Sequence, residues 1–272
     1  MRTIPVVAIF LAATALPPTA AQAQELRSSP AATVDQSGEV FAGVDYQQGD
    51  YGTGAKVETV STSVGVAVRK GRVRMGAAVP YLRTTAPVDV VVSQDGLFGT
   101  PLLGSGGNQT VRTRREGLGD ATMQASYDMP VAGATASLGA GLKLPTASRT
   151  KGLGTGKVDY AVNAQIARAM GGGITPFASV SYSVLGKPEG FAVRNTASGT
   201  AGARIGISPG ASASLSYSYE QSASQALADR QSIGLGLGVS LTDKLRVGLQ
   251  GEAGLSRGAP DAKVGLRIGT GF

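Results

Sequence analysis

The sequence predicts an all-β protein, a closed antiparallel transmembrane β-barrel of about twelve strands. Three observations lead there. Apolar residues alternate with polar or small ones at period two in about a dozen segments, and no segment keeps a helical period. The connections between those segments are short and long by turns. The apolar stretch from Ile4 to Leu16 falls short of the roughly twenty residues a spanning helix needs, which leaves membrane crossing to strands. In lipid every backbone N–H and C=O must find a partner within the protein, and a sheet meets that demand only by closing into a ring.

At the amino terminus, Arg2, the apolar stretch, Pro17, Pro18 and then Ala21-Gln22-Ala23 have the layout of a secretory signal peptide cleaved after Ala23. A polar segment, 24–38, follows, expected in the periplasm or as a plug in the lumen. The barrel is expected over 39–272. Its strands fall near 39–47, 57–69, 72–82, 117–129, 134–145, 157–169, 174–185, 196–207, 211–220, 231–241, 245–255 and 261–272. Short connections occur at Lys70-Gly71, Pro130 to Gly133, Met170 to Gly173, Ser208 to Gly210 and Thr242 to Lys244; the longest opposite connection runs from Arg83 to Glu116. Outer-membrane barrels have periplasmic turns and longer extracellular loops, so the bacterial outer membrane is the expected location. Within the longest loop, Val88 to Val92 can form a hairpin with Thr110 to Arg114, and this segment folded inward would narrow the pore.

Parity assigns the faces. Ile233, Leu235, Leu237, Val239 and Leu241 face lipid, while Ser232, Gly234, Gly236, Gly238 and Ser240 face in. Tyr46, Tyr81, Tyr127, Tyr160, Tyr217 and Tyr219 share the outward parity, as an interfacial girdle requires. Twelve strands ~4.8 Å apart and tilted ~40° give a backbone diameter of about 24 Å. Gly and Ser at many inward positions leave space for a lumen roughly 10 Å wide.

The candidate lumen-lining charges are Arg72, Arg74, Arg204, Glu220, Arg246, Glu252, Lys263 and Arg267. With the other inward groups, among them Arg69, Glu39, Asp45 and Asp128, the wall is close to balanced. The excess positive charge of the chain, +7, then falls mostly on outer loops through Arg83, Arg112, Arg114, Arg115, Arg149, Lys151 and Lys157. Outer-membrane lipid and lipopolysaccharide phosphates are the expected partners of those loops. Nucleic acid is not, because the charge is scattered rather than striped with aromatics.

The chain has no His and no Cys. That removes the usual base of outer-membrane hydrolases and most transition-metal ligands. No catalytic residue, metal or cofactor is expected. The run Gly152-Leu153-Gly154-Thr155-Gly156 lacks the strand-to-helix setting of a phosphate loop.

The most specific signal spans Gly117 to Tyr160: Gly117-Leu118-Gly119-Asp120, then Lys143-Leu144-Pro145-Thr146, then the Gly-rich run and Asp159-Tyr160. A hairpin closed by Pro130 to Gly133, with Met129 facing Ala134, puts Asp120 directly opposite Lys143. Lys143 can also face Asp159. A lysine between two carboxylates at the outer end of the lumen would fix register, at about 0.2–1 kcal/mol per cross-strand pair.

On these motifs the chain resembles the outer-membrane transporters grouped as the "MetA pathway of phenol degradation" family. Members usually continue Lys-x-Pro-Thr with Gly, where this chain has Ala147. The resemblance implies a passive channel for aromatic or other small organic compounds. The alternative is a structural or adhesive barrel plugged by its loops. The last strand alternates up to Phe272, which looks like the signal read by the barrel-assembly machinery, a further expected partner.

Overall fold

The computed structural model describes residues 36–52, 54–88, 90–91, 102–103 and 111–272, with backbone alone at 36, 102 and 103. The expected signal peptide, and the polar segment up to residue 35, lie outside the described residues. The strands are β1 (Gln36–Gly49), β2 (Val57–Lys70), β3 (Val73–Pro87), β4 (Val90–Val91), β5 (Leu102–Leu103), β6 (Arg112–Leu118), β7 (Ala121–Val131) and β8 (Ala134–Leu144). They continue with β9 (Asp159–Ala167), β10 (Ile174–Val184), β11 (Thr196–Ser208), β12 (Ala211–Glu220), β13 (Arg230–Ser240), β14 (Leu245–Gly254) and β15 (Ala262–Gly271).

Each wall strand pairs antiparallel with its neighbour in sequence, and β1 closes the ring against β15 from Glu39↔Gly271 to Gln48↔Ala262. Residues 36–38 of the expected polar segment therefore belong to the wall, and Gly38 exchanges backbone hydrogen bonds with Phe272 at 3.0 and 2.9 Å. Both β6 and β7 pair with β3, one above the other, so they fill a single wall position interrupted at Gly119 and Asp120. The small β4–β5 hairpin stands apart. The result is a closed barrel of twelve wall positions, the ring that leaves no unpaired edge to lipid.

Alternation acts as the sequence predicts. Val64, Val162, Val180 and Leu235 project outward and are about three-fifths exposed, a state that only a lipid solvent makes favourable for large apolar groups. The six expected girdle tyrosines are all outward, and Tyr182 joins them. The opposite parity is buried and polar: Thr59, Ser61 and Ser63 on β2, Asp45 and Gln47 on β1.

Three expectations need correction. The β7–β8 hairpin turns at Ala132 and Gly133, both at positive φ (48° and 76°), with Val131 paired to Ala134. This two-residue geometry suits the strand twist better than a four-residue connection, and it shifts the register by two from the expected one. Second, the turn between β2 and β3 is Gly71-Arg72, with Lys70 paired to Val73, so Arg72 is an exposed periplasmic turn residue and does not line the lumen. Third, Thr113 and Arg112 pair with Ala86 and Pro87 of β3, while Val90 and Val91 pair with Leu103 and Leu102. The expected hairpin of 88–92 with 110–114 is thus replaced by a continuation of the wall above the bilayer. Opposite charges help set that extension: Arg83–Glu116 at 2.9 Å, Arg112–Glu58 at 2.7 Å and Lys56–Glu58 at 3.0 Å, all on the outside.

Candidate functional site at the outer mouth of the lumen

The Gly-Leu-Gly-Asp, Lys-Leu-Pro-Thr and Gly-rich motifs meet at one place. Lys143, near the outer end of β8, points inward with Thr122 and Asp159 as its register partners. Asp120 is therefore not directly opposite Lys143; it lies in the break between β6 and β7. Because the slip is an even number of residues, no side chain changes face, and the cluster forms all the same. Lys143 Nζ lies 2.7 Å from Asp159 Oδ2 and 3.0 Å from Asp120 Oδ2, and donates to Thr155 Oγ1 at 3.3 Å. All three charged side chains are 5 % exposed or less.

The remaining carboxylate oxygens hold loops. Asp120 Oδ1 accepts from the Ala147 backbone N–H at 3.0 Å, and Asp159 Oδ1 from that of Gly186 at 2.8 Å. One lysine thus ties together the strand break, the loop 145–158 and the loop 185–195. Thr146 closes the break itself: its hydroxyl donates to the Gly119 carbonyl at 2.7 Å and accepts from the Ala121 N–H at 2.8 Å. Gly154 lies so close that a Cβ there would meet Ala147 Cβ at 2.7 Å and both Asp120 oxygens at 2.9 Å. Leu153 and Ala147 form a small buried apolar cluster with Leu82. The methyl of Ala147 is part of this cluster.

Because Lys143 faces the lumen and Thr155 covers it, the loop 145–158 folds back over the inner wall and narrows the mouth on that side. Taking these charges out of water costs several kcal/mol per ion, which their mutual attraction offsets only with further hydrogen bonds. The backbone N–H groups of Ala147 and Gly186 supply them. The cluster therefore specifies the loop's position more than it adds to stability.

The other sequence-predicted residues line the lumen at different heights. Toward the periplasm, Arg74 binds Asp128, which also accepts from Ser137 Oγ at 2.6 Å and lies 3.7 Å from Arg69. Glu39 sits between Arg267 at 3.1 Å and Arg246 at 3.7 Å, and the Arg267 guanidinium stacks 3.6 Å from the Phe41 ring centroid. Arg204 is buried on the inner face of β11. Higher up, Glu220 pairs with Arg230 at 3.7 Å, and Lys263 lies in register with Glu252 and Gln47.

Sequence reasoning missed Arg230, by starting its strand one residue late, and Phe41, whose inward parity was legible. It also placed Arg115 in an outer loop; Arg115 lies on the inner face opposite Thr84 and donates to the Val90 carbonyl at 2.7 Å. Residues 112–118 are polar on both faces as far as Glu116, so no apolar alternation marked the strand.

Comparison with known proteins bears on this geometry. The family model described as "Putative MetA-pathway of phenol degradation" matches residues 28–270. The chain belongs to that family. The matched range contains the Asp120, Lys143 and Asp159 cluster and the loop it anchors. Among solved structures, an outer membrane channel from Pseudomonas putida F1 is similar with TM-score 0.71 and 14% identity, over 90% of this chain and 98% of that one. The NanC porin is similar at TM-score 0.53 and 10% identity, over 86% and 98%. The translocator domain of the autotransporter NalP from Neisseria meningitidis gives TM-score 0.50 and 13% identity, over 92% of each. At such identities the likeness establishes the fold. No curated protein matches by sequence. The closed ring with its outward apolar band is that of a bacterial outer-membrane protein.

Proposed function

We propose that the protein is an outer-membrane channel through which small organic solutes diffuse down their gradients. One observation carries this reading. In β12 and β13, paired strands of the ring, the inward positions from Ser212 to Ser218 and from Ser232 to Ser240 are all Ser or Gly. Side chains this small leave open space against a wall that elsewhere carries arginines, and a packed structural barrel would fill it. The neighbouring solved structures include a channel and a porin, and the family's description concerns phenol degradation, which together support passage of small organic compounds. Arg83, Arg112 and Arg114, outward above the lipid band, are suited to lipopolysaccharide phosphates. The last strand, with its apolar outward edge ending at Phe272, is suited to the assembly machinery.

Liposome swelling tests the reading directly. Vesicles carrying the refolded barrel should swell in simple sugars, amino acids and small aromatic acids, and a variant lacking residues 95–108 should swell at least as fast. No swelling in either form would favour a plugged structural barrel.

A further inference from the structure

Directly above the buried cluster, the outer loops border a half-open cavity of about 280 Å³. Arg115 from β6, Arg149 and Lys151 from the loop 145–158, Val91 from β4, and Pro188 and Phe191 from the loop 185–195 line it. Among the described residues no carboxylate lines it. Glu189, at the rim, is 3.9 Å from Arg149 Nη2 and almost wholly exposed. The buried acids beneath are separated from the cavity by Gly154 and Thr155 and are already paired with Lys143.

The three cations differ in how firmly they are set. Arg115 donates to the carbonyls of Val90 and Pro87 at 2.7 and 3.5 Å and packs against Gly152, whose positive φ of 63° and lack of a Cβ let the guanidinium approach. Lys151 Nζ uses one of its three donors on the Glu116 carbonyl at 3.1 Å. Arg149 reaches in from an exposed position. A fixed guanidinium, an ammonium with donors to spare and an adaptable second guanidinium make a site for an anion. The wall formed by Val91, Pro188 and Phe191 makes it a site for an anion with an apolar body.

We propose that this cavity is a capture site for small amphiphilic carboxylates, a binding step ahead of the lumen. The proposal deepens the channel reading and rests on it for its purpose, but binding can be measured without transport. An apolar body would displace water from Val91, Pro188 and Phe191 while the carboxylate meets the cations, which neither an inorganic anion nor a neutral aromatic does in full.

The test is calorimetric titration of the refolded barrel in a neutral maltoside detergent with benzoate, cyclohexanecarboxylate, acetate, benzyl alcohol and inorganic phosphate. Benzoate and cyclohexanecarboxylate should bind more tightly than the other three, and more weakly as salt is raised. The double variant Arg149→Gln with Lys151→Gln should weaken both by about tenfold or more, the scale of one charge-assisted hydrogen bond. Phe191→Ala should weaken them while leaving acetate unchanged, and Lys56→Gln, outside the cavity, should change nothing. Heat-modifiable gel migration confirms that each variant is a folded barrel. Unaltered affinity in the folded double variant would overturn the proposal, as would phosphate binding as tightly as benzoate with no effect of Phe191→Ala. Swelling without binding removes the capture site alone; binding without swelling removes the channel alone.

Discussion

The outer and periplasmic halves of the lumen wall carry the same kinds of residue and use them differently. In the outer half, Lys143, Asp120 and Asp159 are 5 % exposed or less and are covered by a loop, which shuts them off from the lumen. In the periplasmic half, Arg246 and Arg69 keep 35 % and 45 % of their side-chain surface exposed beside the carboxylates they approach. The balance differs as well. Among the described residues, Arg69, Arg74, Arg204, Arg246 and Arg267 face only Glu39 and Asp128 in the lower half. In the upper half Arg115, Lys143, Arg230 and Lys263 face Asp45, Asp120, Asp159, Glu220 and Glu252. An inward charge is thus a structural anchor where a loop or its wall neighbours bury it, as neighbours also bury Arg204, Arg267, Glu39 and Asp128 in the lower half. It is a source of field in the lumen where it stays exposed, as at Arg246 and Arg69. Summing charges over the whole wall hides this division.

The comparison breaks most visibly at Lys143. Lys143→Met should leave two buried carboxylates facing each other and destabilise the barrel by about 3–5 kcal/mol, the usual result of stripping one partner from a buried ion pair. Thermal unfolding, followed by loss of heat-modifiable migration, measures it. Adding Asp120→Asn and Asp159→Asn to the same chain should recover much of the loss. An unfolding midpoint unchanged in Lys143→Met would mean that the cluster anchors nothing.

A smaller effect is expected on the loop that the cluster holds. Gly154→Ala forces a methyl against Ala147 and the Asp120 carboxylate, overpacking that costs about 1–3 kcal/mol. Thr146→Ala removes both hydrogen bonds that close the strand break, at about 1 kcal/mol each. Both variants should widen the mouth and raise single-channel conductance. Stability lost at unchanged conductance would separate the anchor from the pore.

In the lower half the readout is selectivity. Arg246→Gln with Arg69→Gln removes two of the exposed arginines and should shift the reversal potential in a salt gradient toward cations, an effect that fades as ionic strength rises. Neutralising the triple set Asp120, Lys143 and Asp159 should leave the reversal potential where it was. Equal shifts from the two sets would erase the distinction between the halves.

How much of this was legible in the sequence follows from the physics of each part. Strand number, faces and side of the membrane could be read because lipid outside and water inside impose period two on every strand, as in Ser232 to Leu241. The lysine between two carboxylates was legible for the same reason: parity survives a register slip of two. The slip itself came from Ala132, a residue that rarely takes positive φ and gives no turn signal. The extension of β3 and β6 was hidden because beyond the bilayer both faces are polar, and Arg112 to Glu116 then reads as a charged loop. The fold of 145–158 over Lys143 depends on contacts with Leu82, Asp120 and Arg115, all distant in sequence, and no local pattern announces them.

The smallest expected effect belongs to a second, solvent-facing latch in the outer half, which sharpens the contrast with the buried one. Asp229 ends the loop between β12 and β13, where it accepts from the Tyr219 hydroxyl at 2.6 Å, the Ser222 N–H at 2.9 Å and Arg194 Nη2 at 3.2 Å. The Tyr219 hydroxyl first, then the Ser222 N–H and the Arg194 charge, hold the Asp229 carboxyl below the ordinary carboxylate range. A depressed folded-state value means the unlatched loop binds the proton more readily. The latch contributes in full above the ordinary range near pH 4 and is lost as pH falls below it. Solvent screens so exposed a group, so the latch is worth less than about 1 kcal/mol and the barrel stays folded when it opens. Current fluctuations in single-channel records should therefore rise as pH falls below about 4, and Asp229→Asn should show the high-fluctuation behaviour already at neutral pH, with no further change on acidification. Fluctuations that rise equally in the variant would assign the acid response to another group and leave this loop outside the gating of the mouth.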